Sequence, residues 1–464
     1  MECAKNMRRH YENHYAQLKS TLENEEYFKP LVRYQYLYKG REVWRRKPGQ
    51  AELLRALSHP DEQVVFAPDN RDDALLMQHT VVRPRNLIVR FPQSSDRPSQ
   101  LIIGGGLSGL FTGALLAQDG YPVTVLEKNS TIGGGLQCFR RGNTVFPTGM
   151  HVFGGFQQGG ILRDICTRLG VMEKLQLQPT DSDCFDEVYL QDGSEYRLPM
   201  GLNHYESYLS KCFPHEKDSI HAYLVTLQRL WQEELDMLPR SEEFLMPYDQ
   251  LIDSYFSDPK LRKLQRYLAP LMGAEEGKTP AYILAMITLS HINGSYQFVG
   301  GSQQLADVLS EVIVAQGGKV VPSEEVCNVV VKEKRVVEVV TRKGNHYSAD
   351  NFISSIHPQC LLQRMDSGVF SPAFRKRVME APQSMSAFMA FVEYDEALPY
   401  INHPIYLFAA GHDMVLLSPC KGQLVILEQM PFSKVAPWAD TTVGHRGDDY
   451  RNWKQHYADE LIDS

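Results

Sequence analysis

One stretch constrains this chain more than any other. Leu101-Ile102-Ile103 runs straight into Gly104-x-Gly106-x-x-Gly109, and then into an alanine- and leucine-rich run, FTGALLAQDG. The apolar triplet reads as a strand and the run after the glycines as a helix. A turn this tight needs a residue without Cβ at Gly104. Bare backbone at Gly106 lets a pyrophosphate approach, and a minimal residue at Gly109 lets the helix pack close to the sheet. The N-terminus of that helix, with its dipole and free amides, faces the phosphate charge. A second strand, Val123 to Leu126, ends on Glu127, followed by Lys128. That acid stands about where a carboxylate meets a ribose hydroxyl in a bound dinucleotide. A plain glycine-rich turn in an α/β domain is the bland reading of the same residues.

The glycines beyond the acid separate flavin from nicotinamide. Gly133-Gly134-Gly135 comes soon after Glu127, and later Thr148-Gly149-Met150-His151. A diglycine just past the ribose acid resembles the FAD-binding segment of the amine oxidase and phytoene desaturase superfamily. The stretch FPTGMHVFGG is similar to the "TG-x-H" segment of its carotenoid desaturase and retinol saturase branch. Further on, VGGSQQL, GGKVV, Glu325-Val326 and ISSIHP occur in that family's order, so the resemblance spans 98 to 464. Two departures stand out: Pro147 where the branch usually carries an acid, and Gly135 where it often carries a basic residue or cysteine. The resemblance implies an α/β fold with a Rossmann-like FAD-binding domain and an inserted, mainly helical plus β-sheet substrate domain. It implies FAD as cofactor, held by Gly104, Gly106, Leu107, Ser108, Gly109, Glu127, Lys128, Gly133, Gly134, Gly149, Met150 and His151. A backbone group near Val326 is implied on the adenine side.

The domain organisation expected from this is interrupted. Residues 98–155 and 296–360 form the FAD-binding domain, and 156–295 and 361–464 the substrate domain. Residues 1–97 lie outside the match. There a charged, helix-prone run precedes VVFAPDN, RDDALLMQH and NLIVRF, which read as strand, helix and strand. This half α/β unit vaguely resembles the later half of a methyltransferase-type domain, without the motif that would bind S-adenosylmethionine. In relatives the last helix, DDYRNWKQHYADELIDS, is followed by a further flavin-covering segment that this sequence does not contain. Within 156–295, Leu224, Leu227, Trp231, Leu235 and Leu238 recur on one side of a predicted helix. Tyr248, Tyr255, Tyr267, Met272, Tyr282, Met286 and Tyr296 suit either a core or the lining for a long apolar ligand.

Composition narrows the partners. At 464 residues, two or three domains are expected. A net charge of −8 disfavours nucleic acid, which needs a basic face. The 8 cysteines form no CxxC pair, so no metal site or disulfide framework is expected, and they read as mostly buried thiols of a cytoplasmic protein. The N-terminus has no apolar signal core, and the longest apolar run, AYILAMITL, is too short to span a bilayer. Peripheral contact with the inner face of a membrane stays open.

The chemistry implied by the resemblance is hydride transfer across a carbon–carbon bond of an apolar polyene or isoprenoid lipid. His151 is the candidate catalytic residue, as a proton relay, against an ordinary structural role. Only one dinucleotide fingerprint is present, so no resident NAD(P)H domain is expected and the electron donor or acceptor is unassigned. The alternatives are an FAD-dependent amine or other oxidase, and a truncated or fused flavoprotein-like chain without activity.

Overall fold

The computed structural model describes residues 97–464 apart from 143, 236–240, 395–400, 409–413, 421, 443 and 464, together with short strands at 64–66 and 87–89. Those two strands, Val64–Phe66 and Leu87–Val89, pair in parallel, as a strand–helix–strand unit requires. The helical run expected before them and the helix expected between them lie outside the described residues.

The chain divides into two compact units. Of the described residues, the first comprises those up to 134, 164–174 and 305–379, and the second those within 135–163, 175–304 and 380–464.

In the first unit, four strands form an all-parallel sheet in the order Lys319–Val321, Val123–Leu126, Gln100–Ile103, Asn351–Ser354. Gln100–Ile103 is buried along its whole length. That is why it reads as a continuous apolar run rather than an alternation: a parallel sheet is covered on both faces. The first helix runs Leu107–Gln118 and approaches the sheet closely. A Cβ on Gly113 would lie 2.9 Å from Ile313 Cδ1 and 3.2 Å from Val125 Cγ2. The hairpin Val326–Lys332 and Arg335–Thr341 turns at Glu333 and Lys334, with φ of 49° and 62°. Two consecutive left-handed residues make the tight turn that matches strand twist, here without the usual Asn-Gly. Leu101, Ile103, Leu126, Val326, Val329 and Val339 form the core beneath it.

The second unit is built on a six-stranded sheet. Its order is Glu195–Leu198, Asp186–Tyr189, Ile405–Leu407, Val415–Cys420, Gln423–Met430, Ser386–Glu393. All contacts are antiparallel except that between Asp186–Tyr189 and Ile405–Leu407. The long helix Lys217–Leu235 packs on Ala281–Asn293. Its buried stripe is centred on Ile220, Tyr223, Leu224, Leu227 and Leu230. Of the expected stripe, Leu224 and Leu227 are buried and Trp231 packs against the same core, while Leu235 is only partly buried. Leu238 lies outside the described residues.

Among the seven aromatics and methionines weighed as core or lining, Tyr248 and Tyr267 are buried in this unit's core. Tyr255, Met272 and Tyr282 pack against it. The cysteines need a correction too: Cys166 and Cys184 are buried, but Cys212, Cys327 and Cys360 are exposed. The last helix, Asp448–Asp463, lays Trp453 and Tyr457 against Phe388.

Candidate functional site

The glycine turn of the first unit is a backbone construction. Gly104 sits at φ 109°, a conformation in which side chains are strained, and a Cβ there would strike Ser355 Oγ at 2.5 Å. The Ser355 hydroxyl lies 2.9 Å from the Gly104 carbonyl and 3.1 Å from that of Ile103, so it braces the turn from the ISSIHP segment. A Cβ on Gly109 would fall 2.0 Å from the Gly104 carbonyl, which makes glycine obligatory where helix meets turn. Gly106 is different. A Cβ there would meet only Gly134 Cα, at 3.9 Å.

The helix opens on Gly106 in extended conformation with no side-chain cap. Its first amides therefore have no side-chain acceptor, the state in which a helix start accepts an anion. Leu107 is half-buried and Ser108 exposed at this same end.

The diglycine closes onto that turn. Gly133 N donates to Gly105 O at 2.7 Å, and Gly106 and Gly133 form a parallel bridge. Gly134 takes φ 57°, and a Cβ on it would stand 3.1 Å from Gly106 Cα. Glu127 is buried, and its carboxylate is held by two amides: Oε2 accepts from Gly105 N at 2.8 Å and Oε1 from Asn129 N at 2.9 Å. Lys128 follows at the same strand end and is exposed. Val326 is buried in the core of this unit, and its carbonyl accepts from Arg364 Nε at 2.7 Å. Sequence reasoning does not find Ser355, Gly105 or Arg364. Each acts through a contact over 20 residues or more, with no local spacing to betray it.

Gly149, Met150 and His151 belong to the second unit. The preceding hairpin pairs Cys138–Arg141 with Thr144–Pro147, and Thr148 N donates to Gln137 O at 2.9 Å. This sets Gly149 against Gly135: a Cβ on Gly149 would lie 3.3 Å from Gly135 O. A Cβ on Gly135 would touch only Met150 Cγ, at 3.9 Å, so the departure at position 135 is not imposed by crowding.

Pro147, Met150 and His151 line a cavity of about 40 Å³ together with Phe298, Ser418 and Gln423, among others. No carboxylate lines it, and none of the seven weighed aromatics and methionines does either. His151 Nε2 is sealed from solvent and has no hydrogen-bond partner among the described residues. Burial pulls the His151 pKa down to about 4, so the imidazole is neutral near pH 7.

Elsewhere in this unit the strand Asp186–Tyr189 carries two buried acids on opposite faces. Asp186 Oδ2 accepts from Tyr267 Oη at 2.7 Å and lies 3.3 Å from His291 Nδ1. Glu187 lies 3.0 Å from His403 Nε2, and Cys184 joins that pair within 4.8 Å. The sequence predicts no metal set. These three residues converge only because two distant segments become neighbours in one sheet.

The fold is of the Rossmann-like FAD-binding type, and the family comparison agrees. The profile described as "flavin containing amine oxidoreductase" matches residues 107–414, and the chain belongs to that family. Among curated relatives it is 21% identical to a 4,4'-diapophytoene desaturase (4,4'-diapolycopene-forming) of Methylomonas sp. over 66% of this chain and 63% of that protein. It is 23% identical to the all-trans-retinol 13,14-reductase of Danio rerio over 66% of this chain and 54% of that one. The chain thus spans between half and two thirds of the length of these relatives. Among solved structures, an oxidoreductase from Methanosarcina mazei superposes with TM-score 0.57 at 17% identity, covering 73% of this chain and 81% of that one. A CLA-producing fatty acid isomerase from P. acnes gives 0.52 at 14% identity, covering 79% and 83%. At such identities the structural likeness concerns the fold. Among the described residues, no helix is long and apolar enough to cross a membrane.

Proposed function

We propose that this chain is an FAD-dependent oxidoreductase of the carotenoid desaturase and retinol saturase type, moving a hydride across a carbon–carbon bond of an apolar polyene or isoprenoid lipid. The observation that carries the cofactor is the double glycine loop. Gly106 stands at an uncapped helix start with almost nothing near its absent Cβ, and the Gly133-Gly134 segment is stitched to it. These residues fit a pyrophosphate, and Glu127 at the end of the second strand fits a ribose. Bound FAD supplies the two-electron chemistry.

The chain's own residues have narrower tasks. The amides at the start of Leu107–Gln118 bind phosphate oxygens, which are present in every redox state. Glu127, held between two amide donors, accepts from ribose hydroxyls. In the second unit His151 is proposed to face the substrate from the cavity wall. Its neutral imidazole can take a proton through Nε2, which has no other partner there.

The cavity wall favours an apolar substrate over an amine. Met150, Phe298 and Pro147 are present and no carboxylate is there to meet an ammonium group. The matched relatives are named for polyene and retinoid reactions, which supports the same choice. The electron partner depends on the direction of reaction: desaturation needs an acceptor for two electrons, and saturation a donor.

The test is the visible spectrum of the purified chain after reconstitution with FAD and desalting. Retained flavin, with bleaching or product formation on addition of a C30–C40 polyene or retinol, supports the reading. Protein that keeps flavin but leaves every polyene unchanged, while turning over an amine, overturns the substrate class.

A further inference from the structure

A cluster of three buried side chains in the second unit has no part in the flavin reading. Cys184 stands in the turn before the strand Asp186–Tyr189, and Glu187 on that strand. His403 stands just before the strand Ile405–Leu407. The two strands are parallel neighbours, with Ile405 opposite Glu187 and Glu187 N donating to Pro404 O at 3.0 Å. That pairing brings residues 184, 187 and 403 to one place. Their ligand atoms, a thiol sulfur, a carboxylate oxygen and a ring nitrogen, all lie within 4.8 Å of one another. Exposure is 0% for Cys184 and 5% for both Glu187 and His403.

We propose that Cys184, Glu187 and His403 form a structural binding site for a zinc-type divalent cation. The donor set selects the ion. A thiolate and an imidazole suit zinc and its borderline-soft neighbours, whereas calcium and magnesium take sets made of oxygen. The competing account is a buried Glu187–His403 ion pair, at 3.0 Å, that happens to lie beside a thiol. That pair leaves His403 Nδ1 buried with no partner among the described residues. It also leaves Cys184 Sγ with a single weak contact, 3.5 Å from the Asp186 carbonyl. A cation engages the thiol and draws on the imidazole as a ligand.

The surroundings support the charge balance. A doubly charged cation with one thiolate and one carboxylate is neutral. Arg197, 3.3 Å from Glu187 Oε1, and Tyr189 Oη, 2.9 Å from the same oxygen, then orient the carboxylate from outside. Burial works against the charge on Glu187, but hydrogen bonds from His403 and Tyr189, with the Arg197 charge, hold it below the usual carboxylate range. The Cys184 thiol is pushed up to about 12, chiefly by burial, so it keeps its proton until a cation displaces it. Uptake therefore releases the thiol proton to solvent, and retention strengthens as pH rises. No electron is transferred. A tetrahedral ion completes its shell with the Asp186 carbonyl or a water. Its effect is to fasten the segment before Ile405 to the strand Asp186–Tyr189.

The experiment uses the untagged full chain carrying Cys212→Ser, Cys327→Ser and Cys360→Ser, which removes the exposed described thiols. It is incubated with zinc sulfate, desalted, and assayed for metal by mass spectrometry. A parallel sample takes cobalt(II) and is read as a difference spectrum against the zinc form, which cancels flavin absorption. The expected result is one zinc per chain, a raised melting temperature, and a thiolate-to-cobalt charge-transfer band. Cys184→Ser on this background removes the band and lowers zinc retention at least about tenfold. Folded parent protein that keeps no zinc after desalting overturns the proposal. So does equal retention by folded Cys184→Ser and Glu187→Gln. Should those variants fail to fold, the parent's cobalt spectrum decides, since absence of the charge-transfer band refutes the thiolate ligand. Flavin content is independent of all these readings, so failure here leaves the cofactor proposal standing.

Discussion

Gly106 and Gly133, 27 residues apart, are joined as a two-residue parallel bridge, and Gly133 N donates to Gly105 O at 2.7 Å. The two glycine-rich segments are therefore one backbone surface rather than two loops. Side chains at its positions fail for different reasons. Gly106→Asp has room for its Cβ but sets a carboxylate where phosphate would lie. Gly134→Val, at φ 57° with Gly106 Cα 3.1 Å from its Cβ, strains the backbone itself. The first variant should fold like the parent and lose FAD affinity on the order of 100-fold, about 3 kcal/mol. The second should lose flavin and melting temperature together. Flavin absorbance after desalting, read beside a thermal melt, separates the two.

Glu127 is tied to its own fold before it meets any ligand. Its two oxygens accept from Gly105 N and Asn129 N. Glu127→Gln turns an NH₂ group toward one of those amides, so a donor faces a donor. The expected cost is about 1–3 kcal/mol of stability in addition to weaker FAD binding. Denaturant unfolding of the flavin-free protein measures the first part by itself. An unchanged midpoint there would mean that the carboxylate serves the ribose alone.

His151 gives a pH signature with a fixed sign. Its folded pKa, lowered by burial to about 4, lies below the ordinary 6.5. Between those values the unfolded chain binds a proton that the folded chain refuses. Stability is therefore lost as pH falls from 6.5 toward 4, with a ceiling of about 1.4 kcal/mol per pH unit. His151→Gln, neutral throughout, should flatten that slope in a melting series. If the parent and variant curves stay parallel across this range, the imidazole is solvated rather than sealed.

The first unit is largely legible in the sequence because its signals are local. The strand at Leu101 and the strand Val123–Leu126 are visible in the composition of a few neighbouring residues. The helical run is evident from Phe111, yet the helix begins at Leu107, because the uncapped glycine start gives no Ser, Asp or Asn to mark it. Long-range contacts are not legible. Ser355 reaches Gly104 across 251 residues, and Cys184 and Glu187 meet His403 only once two strands pair in parallel. For the aromatics Tyr248 and Tyr267 residue statistics favour core over lining, although both environments want the same side chains, and both lie in the core.

The last prediction concerns the other face of that strand. Asp186 is fully buried, and its Oδ1 has no partner among the described residues. Its Oδ2 depends on Tyr267 Oη at 2.7 Å, with His291 Nδ1 at 3.3 Å. Removing the hydroxyl in Tyr267→Phe keeps the ring packed against Tyr406. It leaves the carboxylate with one long contact in an apolar core. A buried acceptor stripped of its donor costs its desolvation, about 1–3 kcal/mol, rather than the smaller net value of one hydrogen bond. The urea midpoint should fall by that energy divided by the slope, with the slope itself unchanged, because the surface exposed on unfolding is the same. A midpoint that does not move would show that water reaches Asp186 and replaces the phenol. Recovery of stability in Tyr267→Phe/Asp186→Asn, where the unsupported carboxyl group is replaced, would assign the loss to that group and not to packing.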